Sequence, residues 1–288
     1  MYVLSQKSFV GETMEVDVCM WAKNGEKFLP RVLKRIDEIM LENINQKIFV
    51  DDSSVDRSRE IAKSFGWEVY HNQEGWISGG TKEALRHVET EFFVSVEQDV
   101  LLAKDWWNTI QDYMKDKKVA VAQGIYLSTT PMYREYERYN IERVNQLSFQ
   151  ERSKNCYGIG NNIYRTKIVK RLGFVDDIVA MGPFFERIVN NGYKWITDTA
   201  LVSDHLRTSL FDDINHNTRF YSMTKIHTFL DDISLLRLLA GIPASIRFIR
   251  SRNAFVFLVS LLMKMSYIDA YMDRRKSGRT FTRNSADF

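Results

Sequence analysis

Residues 47–59 read Lys-Ile-Phe-Val-Asp-Asp-Ser-Ser-Val-Asp-Arg-Ser-Arg, and no other stretch narrows the choice of fold as far. Ile48, Phe49 and Val50 form a short apolar run of the kind that makes a buried strand. The run stops on two carboxylates, Asp51 and Asp52. Ser53, Ser54 and Asp56 follow, all turn or helix-capping residue types. Ile61, Ala62 and Phe65 then recur at helical spacing. The order is strand, acidic turn, helix. Two adjacent acids at the end of a buried strand are costly unless they hold something. In open α/β sheets the C-terminal strand ends are where ligands sit.

The same order repeats around this stretch. A strand is predicted over 16–20 and is broken at 22–26. Phe28, Leu29, Val32, Leu33 and Ile36 predict a helix, with Pro30 tolerated in its first turn. Residues 68–70 predict a third strand, and 72–80 a loop carrying Gly75, Gly79 and Gly80. A helix is expected over 81–88. A fourth strand over 91–96 runs into Glu97-Gln98-Asp99. Strands and helices thus alternate four times in the first hundred residues, the pattern of a parallel, doubly wound α/β sheet. Farther on, helices are expected at 106–114, 133–152, 167–172 and 184–190, and strands at 119–123 and 194–197. Segment 202–208 carries His205.

The chain has 288 residues, 44% of them apolar, enough for a sizeable core. The net charge of +3 gives no global field for nucleic acid. Cys19 and Cys156 supply neither a disulfide framework nor metal-binding spacing, which suits a reducing compartment. Residues 1–15 lack the apolar core of a secretory signal, so a cytoplasmic location is expected. From about residue 220 basic and apolar blocks alternate. Residues 246–252 are basic, 254–263 are apolar but too short to span a bilayer, and Arg274-Arg275-Lys276 closes the block. Two readings stand side by side for 246–276: peripheral contact with the inner face of a membrane, or helices packed on the catalytic domain or on a second subunit of a homodimer. The polar tail 277–288 is expected to be disordered.

Four groups of residues carry chemistry. Asp51-Asp52 is one, and its bland reading is a solvated turn that caps the next helix. Glu97 and Asp99 are two apart on an extended chain, so they point to one side. Such a pair suits an oxygen-loving cation, Mn²⁺ or Mg²⁺, and the cation in turn suits a diphosphate. Gly79-Gly80-Thr81-Lys82, read as glycines before a helix, could cradle phosphate, although P-loop spacing is absent. His205 gains value as a ligand only because a metal site is already in view.

Together these motifs resemble the family 2 glycosyltransferases of the GT-A fold, over about residues 15–210. Val50-Asp51-Asp52-Ser53-Ser54-Val55-Asp56 is similar to that family's Val-Asp-Asp-Gly-Ser-x-Asp turn. The segment from Glu97-Gln98-Asp99 to Asp105-Trp106 resembles the surroundings of its Asp-x-Asp metal motif. Gly160-Asn161-Asn162-Ile163-Tyr164-Arg165, Leu172-Gly173-Phe174-Val175-Asp176-Asp177 and Asn191-Gly192-Tyr193-Lys194 resemble its acceptor-side segments. The resemblance implies a GT-A catalytic domain at 1–220, with a nucleotide-sugar half at about 15–105 and an acceptor half at about 106–220, followed by a helical region at 221–276. It implies that Ala22, Lys23 and Glu26 line the nucleotide pocket, that Asp52 accepts from the base, and that Asp51 shapes the turn. Lys82 stands where the family often has an arginine near the nucleotide-sugar. Gln98 and Glu97 face the donor, and Asp99 and His205 hold the metal.

Two departures from the pattern matter. The metal motif begins with Glu97 in place of Asp. The acidic pair usual for the catalytic base is replaced by Gly182-Pro183-Phe184-Phe185, which leaves Glu186 as the nearest acid and Asp177 upstream. The implied reaction moves a sugar from a nucleoside diphosphate sugar to the hydroxyl of a saccharide, lipid-linked or protein acceptor, with Mn²⁺ or Mg²⁺ and with inversion. The missing pair leaves a retaining reaction open. Two rival functions remain: a degenerate sugar-nucleotide-binding protein and a nucleotidyltransferase. The latter usually carries a glycine-rich basic loop after its first strand, whereas 22–27 holds one glycine.

Overall fold

The computed structural model describes residues 14–145, 158–174, 181–224 and 254–277. Eight strands form one sheet: β1 Val16–Ala22, β2 Ile44–Asp51, β3 Glu68–His71, β4 Phe92–Ser95, β5 Val100–Leu101, β6 Val119–Ser128, β7 Asn162–Arg165 and β8 Lys194–His205. The order is β3-β2-β1-β4-β7-β6-β8-β5. β1 pairs in parallel with β2 and β4, and β2 with β3. β7 is antiparallel to both β4 and β6, so β6 and its parallel partner β8 run in the same direction as β4. The strands ending at Ala22, Asp51, His71, Ser95, Ser128 and His205 therefore finish on one edge of the sheet.

β1 shows why its sequence reads as a continuous apolar run. Val16, Val18 and Met20 face a core built with helix α1 (Leu29–Met40) and helix α4 (Trp106–Tyr113). Cys19 and Trp21 face a second core with helix α3 (Trp76–His87), helix α6 (Thr166–Leu172) and helix α7 (Met181–Asn190). Alternate side chains point to opposite faces, and both faces are covered, as in parallel sheets generally. Asp17 is fully buried in this strand. It is tolerated because its carboxylate accepts from the Glu89 and Thr90 N–H groups and from Asn45 Nδ2. Helix α2 (Ser58–Ser64) completes the acidic turn foreseen after β2.

A third cluster joins helix α5 (Pro131–Asn145), helix α8 (Leu210–Thr224) and helix α9 (Ala254–Ser277) through Tyr133, Ile214, Val259 and Met263. No helix among the described residues is long and apolar enough to cross a membrane.

The structure departs from expectation at several places. Gly79 and Gly80 lie inside α3, not in a loop before it. A Cβ on Gly80 would come within 2.6 Å of Trp21 Cβ, and one on Gly79 would collide with Asn72 Oδ1. Gly80 therefore serves close approach of the helix to β1, and Gly79 its approach to the loop that follows β3. The strand expected at 194–197 continues to His205. The apolar block at 254–263 is one part of a longer helix. The expected helix at 133–152 is described from Pro131 to Asn145. Residues 146–157, 225–253 and 278–288 lie outside the described residues, and with them the rest of that helix, the basic block 246–252 and nearly all of the tail.

Candidate active site

After β1 and β2, two loops are knitted together by side chains that cap each other's backbone. Asp52 N–H donates to Ala22 O (2.9 Å). Asn24, Gly25 and Glu26 donate their N–H groups to Ser54 Oγ, Ser58 Oγ and Asp56 Oδ2. Glu26 in turn accepts from Arg57 N–H (3.0 Å). Asp51 is 1% exposed; its Oδ2 accepts from Ser54 N–H and faces Arg59, while Oδ1 has no hydrogen-bond partner. Asp52 is half-buried, and Asn72 bridges it to α3 by donating from Nδ2 to Asp52 Oδ1 (3.2 Å) and to Trp76 O (2.7 Å). Lys23 lies in the same loop, and its backbone is clasped by Gln98. The Lys23 N–H donates to Gln98 Oε1 (2.9 Å) and Gln98 Nε2 donates to Lys23 O (3.0 Å). Lys82 pairs with Glu74 at 3.1 Å on the exposed side of α3.

Across the sheet edge, β5 sets the geometry of the second half. It is only two residues long, but Val100 pairs with His205 and Leu101 with Asp204. Leu206 N–H donates to Asp99 O (2.8 Å). Asp99 and His205, remote in sequence, are thereby laid side by side, with Asp99 Oδ2 and His205 Nε2 3.4 Å apart. Glu97 completes the group, and one ligand atom from each of the three lies within 4.8 Å of the others. Two carboxylates and an imidazole gathered in this way could hold a divalent cation such as Mn²⁺ or Mg²⁺, once the side chains close to its bond lengths of about 2.1 Å. Glu97 is held by the segment preceding β7: a Cβ on Gly160 would overlap its side chain, so glycine is required there.

Charge is strongly coupled within this group. Burial raises the Glu97 carboxyl and the neighbouring Asp99 adds to the effect, with partial relief from His205, Arg207 and the Gly160 N–H. Burial would also raise Asp99, but His205 and Arg207 overcome it and hold Asp99 well below the usual carboxylate range. Burial alone would lower His205; the Asp99 carboxylate outweighs it and raises the imidazole. The Tyr126 phenol is pushed up by the charge of Glu97 and by burial, and its ring sits 4.7 Å from that of His205.

The structure thus gathers Glu97, Asp99 and His205 into one group and Ala22, Lys23, Glu26, Asp51 and Asp52 into another, with Gln98 joining them. Glu186 is exposed on α7, whose Phe184 and Phe185 pack on Trp195. Asp177 lies outside the described residues. Residues that the sequence did not single out also enter the site. Arg207 donates to Asp99 Oδ2, Asp213 accepts from Ser128 and Thr130, and Glu137 accepts from Ser128 N–H at 2.6 Å. Arg207 was within reach of the spacing rule that found Glu97 and Asp99, since it follows His205 by two on an extended chain. Asp213 and Glu137 carried no such signal.

A sheet of this order, with an acid–acid–histidine group at its C-terminal edge, agrees with the GT-A fold that the sequence resembles. The sequence profile described as Glycosyl transferase family 2 matches residues 17–174, more than half of the chain, and the chain belongs to that family. None of the curated proteins matches the sequence. Among solved structures, the chain is similar to the mannosyltransferase PcManGT from Pyrobaculum calidifontis in complex with GDP-Man and Mn²⁺, with a TM-score of 0.61 and 15% identity over 92% of this chain and 88% of that one. It is also similar to glucosyl-3-phosphoglycerate synthase from Mycobacterium tuberculosis in complex with Mg²⁺ and UDP, with a TM-score of 0.55 and 12% identity over 73% of this chain and 78% of that one. At these identities the likeness is one of fold.

Proposed function

We propose that this protein is a metal-dependent glycosyltransferase that moves a hexosyl group from a nucleoside diphosphate sugar to an acceptor hydroxyl. The carrying observation is the Glu97–Asp99–His205 group, placed on the same sheet edge as Asp52. Solved structures of this fold hold GDP-Man with Mn²⁺ and UDP with Mg²⁺, which supports a donor of that class. Asp99 and His205, with Glu97 beside them, would hold Mn²⁺ or Mg²⁺, which supplies charge neutralisation for the leaving diphosphate. Asp52 accepts from the nucleobase at the far end of the cleft, with Ala22 and Lys23 forming its wall. Asp51 and Glu26 hold the loops in place, and Lys82 stands near the sugar once it leaves Glu74. A carboxylate, Glu186 or Asp177, takes the acceptor proton as the oxygen attacks the anomeric carbon with inversion. Asp99→Asn is expected to weaken Mn²⁺-dependent binding of GDP or UDP by on the order of a hundredfold, read by calorimetry; unchanged affinity in a folded variant refutes the metal role. Glu186→Gln should lower kcat much more than donor affinity, and full activity in that variant removes Glu186 and leaves Asp177 as the next candidate.

The acceptor is proposed to lie at a membrane surface. Helix α9 leaves Phe255, Leu258 and Met265 exposed, and the sequence around it is rich in lysine and arginine. Flotation with anionic liposomes tests this; a chain that stays with the soluble fraction favours a soluble saccharide acceptor instead.

A further inference from the structure

Arg207 and the proposed cation call on the same two atoms. The guanidinium donates from Nη1 to Asp99 Oδ2, and its Nη2 lies 2.5 Å from His205 Nε2. These are the two atoms that lie 3.4 Å apart in the metal-fitting group. An oxygen or nitrogen lone pair directed at an N–H is not free for a metal, and a second positive charge at this distance is repelled by the first. Only 4% of the Arg207 side chain is exposed. A guanidinium and a divalent cation therefore compete for Asp99 Oδ2.

We propose that Arg207 is a built-in counter-cation that closes the metal site, and that it transfers to Asp213 when a divalent cation binds. The proposal rests on the metal role assigned above to Asp99 and His205. The second seat is already present. Asp213 is 1% exposed. Its Oδ2 is taken by the Ser128 and Thr130 hydroxyls, while its Oδ1 lies 3.8 Å from Arg207 Nε. That Nε–H is buried and has no hydrogen-bond partner. A guanidinium turning away from Asp99 thus stays beside a buried carboxylate with which it already pairs at long range, and can close that contact into a hydrogen bond.

The main chain need not move in this exchange. Leu206 N–H is tied to Asp99 O at 2.8 Å, and Arg207 N–H to Thr129 Oγ1 at 2.9 Å. The switch is confined to side-chain rotation about a pinned backbone. Its consequence is that cation affinity in the absence of donor is reduced by whatever holds Arg207 on Asp99.

The test is Mn²⁺ binding to the full chain without nucleotide, read by electron paramagnetic resonance and by thermal shift. Arg207→Gln is expected to bind Mn²⁺ on the order of tenfold more tightly than the parent chain, and to gain more in Tm on adding Mn²⁺. Asp213→Asn removes the second seat but neither proposed ligand, and is expected to bind Mn²⁺ several-fold more weakly. Equal or weaker binding by Arg207→Gln, or unchanged binding by Asp213→Asn, overturns the switch while Asp99→Asn still abolishes binding. If the parent chain and every variant fail to bind Mn²⁺, or if Asp99→Asn binds as well as the parent, the metal reading itself falls.

Discussion

Ser53 carries a cost within the acidic turn. It takes φ +59°, a left-handed conformation that a residue with a Cβ adopts at about 1–2 kcal/mol, and it is exposed, with no packing to repay it. The family turn that this segment resembles has glycine there. Ser53→Gly is therefore expected to stabilise the chain by about 1 kcal/mol, since the loss of unfolded-state restriction offsets part of the relieved strain. In thermal unfolding this corresponds to a rise of about 1.5–2 °C; a fall in Tm would mean that the Ser53 side chain contributes something the backbone does not reveal. At this scale the sequence was most legible where chemistry repeats at short spacing, as for Asp51-Asp52 and Glu97/Asp99. Contacts made by long-range pairing were not legible. Arg207 and Asp99 are 108 residues apart, and only the β5–β8 register brings them together.

Between elements, β6 and α5 meet through a carboxyl that resists ionisation. Glu137 accepts from Ser128 N–H, and burial nevertheless pushes its pKa up to about 7. In the unfolded chain a glutamate ionises near about 4.3. Below that value both states are protonated and the contact is fully favourable. As pH rises from about 4.3 toward 7, only the unfolded state gains from ionisation, so stability is lost across that window and then levels off. Glu137→Gln keeps an acceptor for Ser128 and cannot ionise. It is expected to be more stable than the parent at pH 8 by on the order of 2 kcal/mol, with the difference vanishing near pH 4; denaturant titrations at both pH values check this. Element existence was legible wherever apolar periodicity was strong, as for the first four strands. It was misplaced where a residue's local preference was overruled by packing. Gly79 and Gly80 look like loop residues, but the need to seat α3 against Trp21 and Asn72 puts them in a helix. Likewise β8 runs past its expected end because pairing with β6 extends to Ser128.

For the whole molecule, the alternation of strands and helices made the sheet legible, but the joining of its two functional halves was not. The loops proposed to take the nucleotide follow β1, β2 and β3, whereas the proposed metal group draws on the segments around β4, β5 and β8. Gln98 is the side chain that spans them. It leaves the 97–99 segment and closes both hydrogen bonds of its amide on the Lys23 backbone, 75 residues earlier in the chain. Gly25 makes room for it, because a Cβ there would stand 2.9 Å from Gln98 Oε1. Two neutral hydrogen bonds of this kind contribute about 1 kcal/mol each, too little to decide folding, but they fix the loop proposed to meet the nucleobase relative to the residues proposed to meet the diphosphate. A donor that bridges both halves needs that distance set before it binds. Gln98→Ala is therefore expected to raise the donor KM about tenfold while Mn²⁺ affinity stays near that of the parent, because Asp99 and His205 are held by β5 instead. A combined measurement of donor KM and Mn²⁺ binding separates the two halves: a matching loss of Mn²⁺ affinity would place Gln98 in the metal group, and an unchanged KM would mean that the Lys23 loop is positioned by Ser54, Asp56 and Ser58 alone.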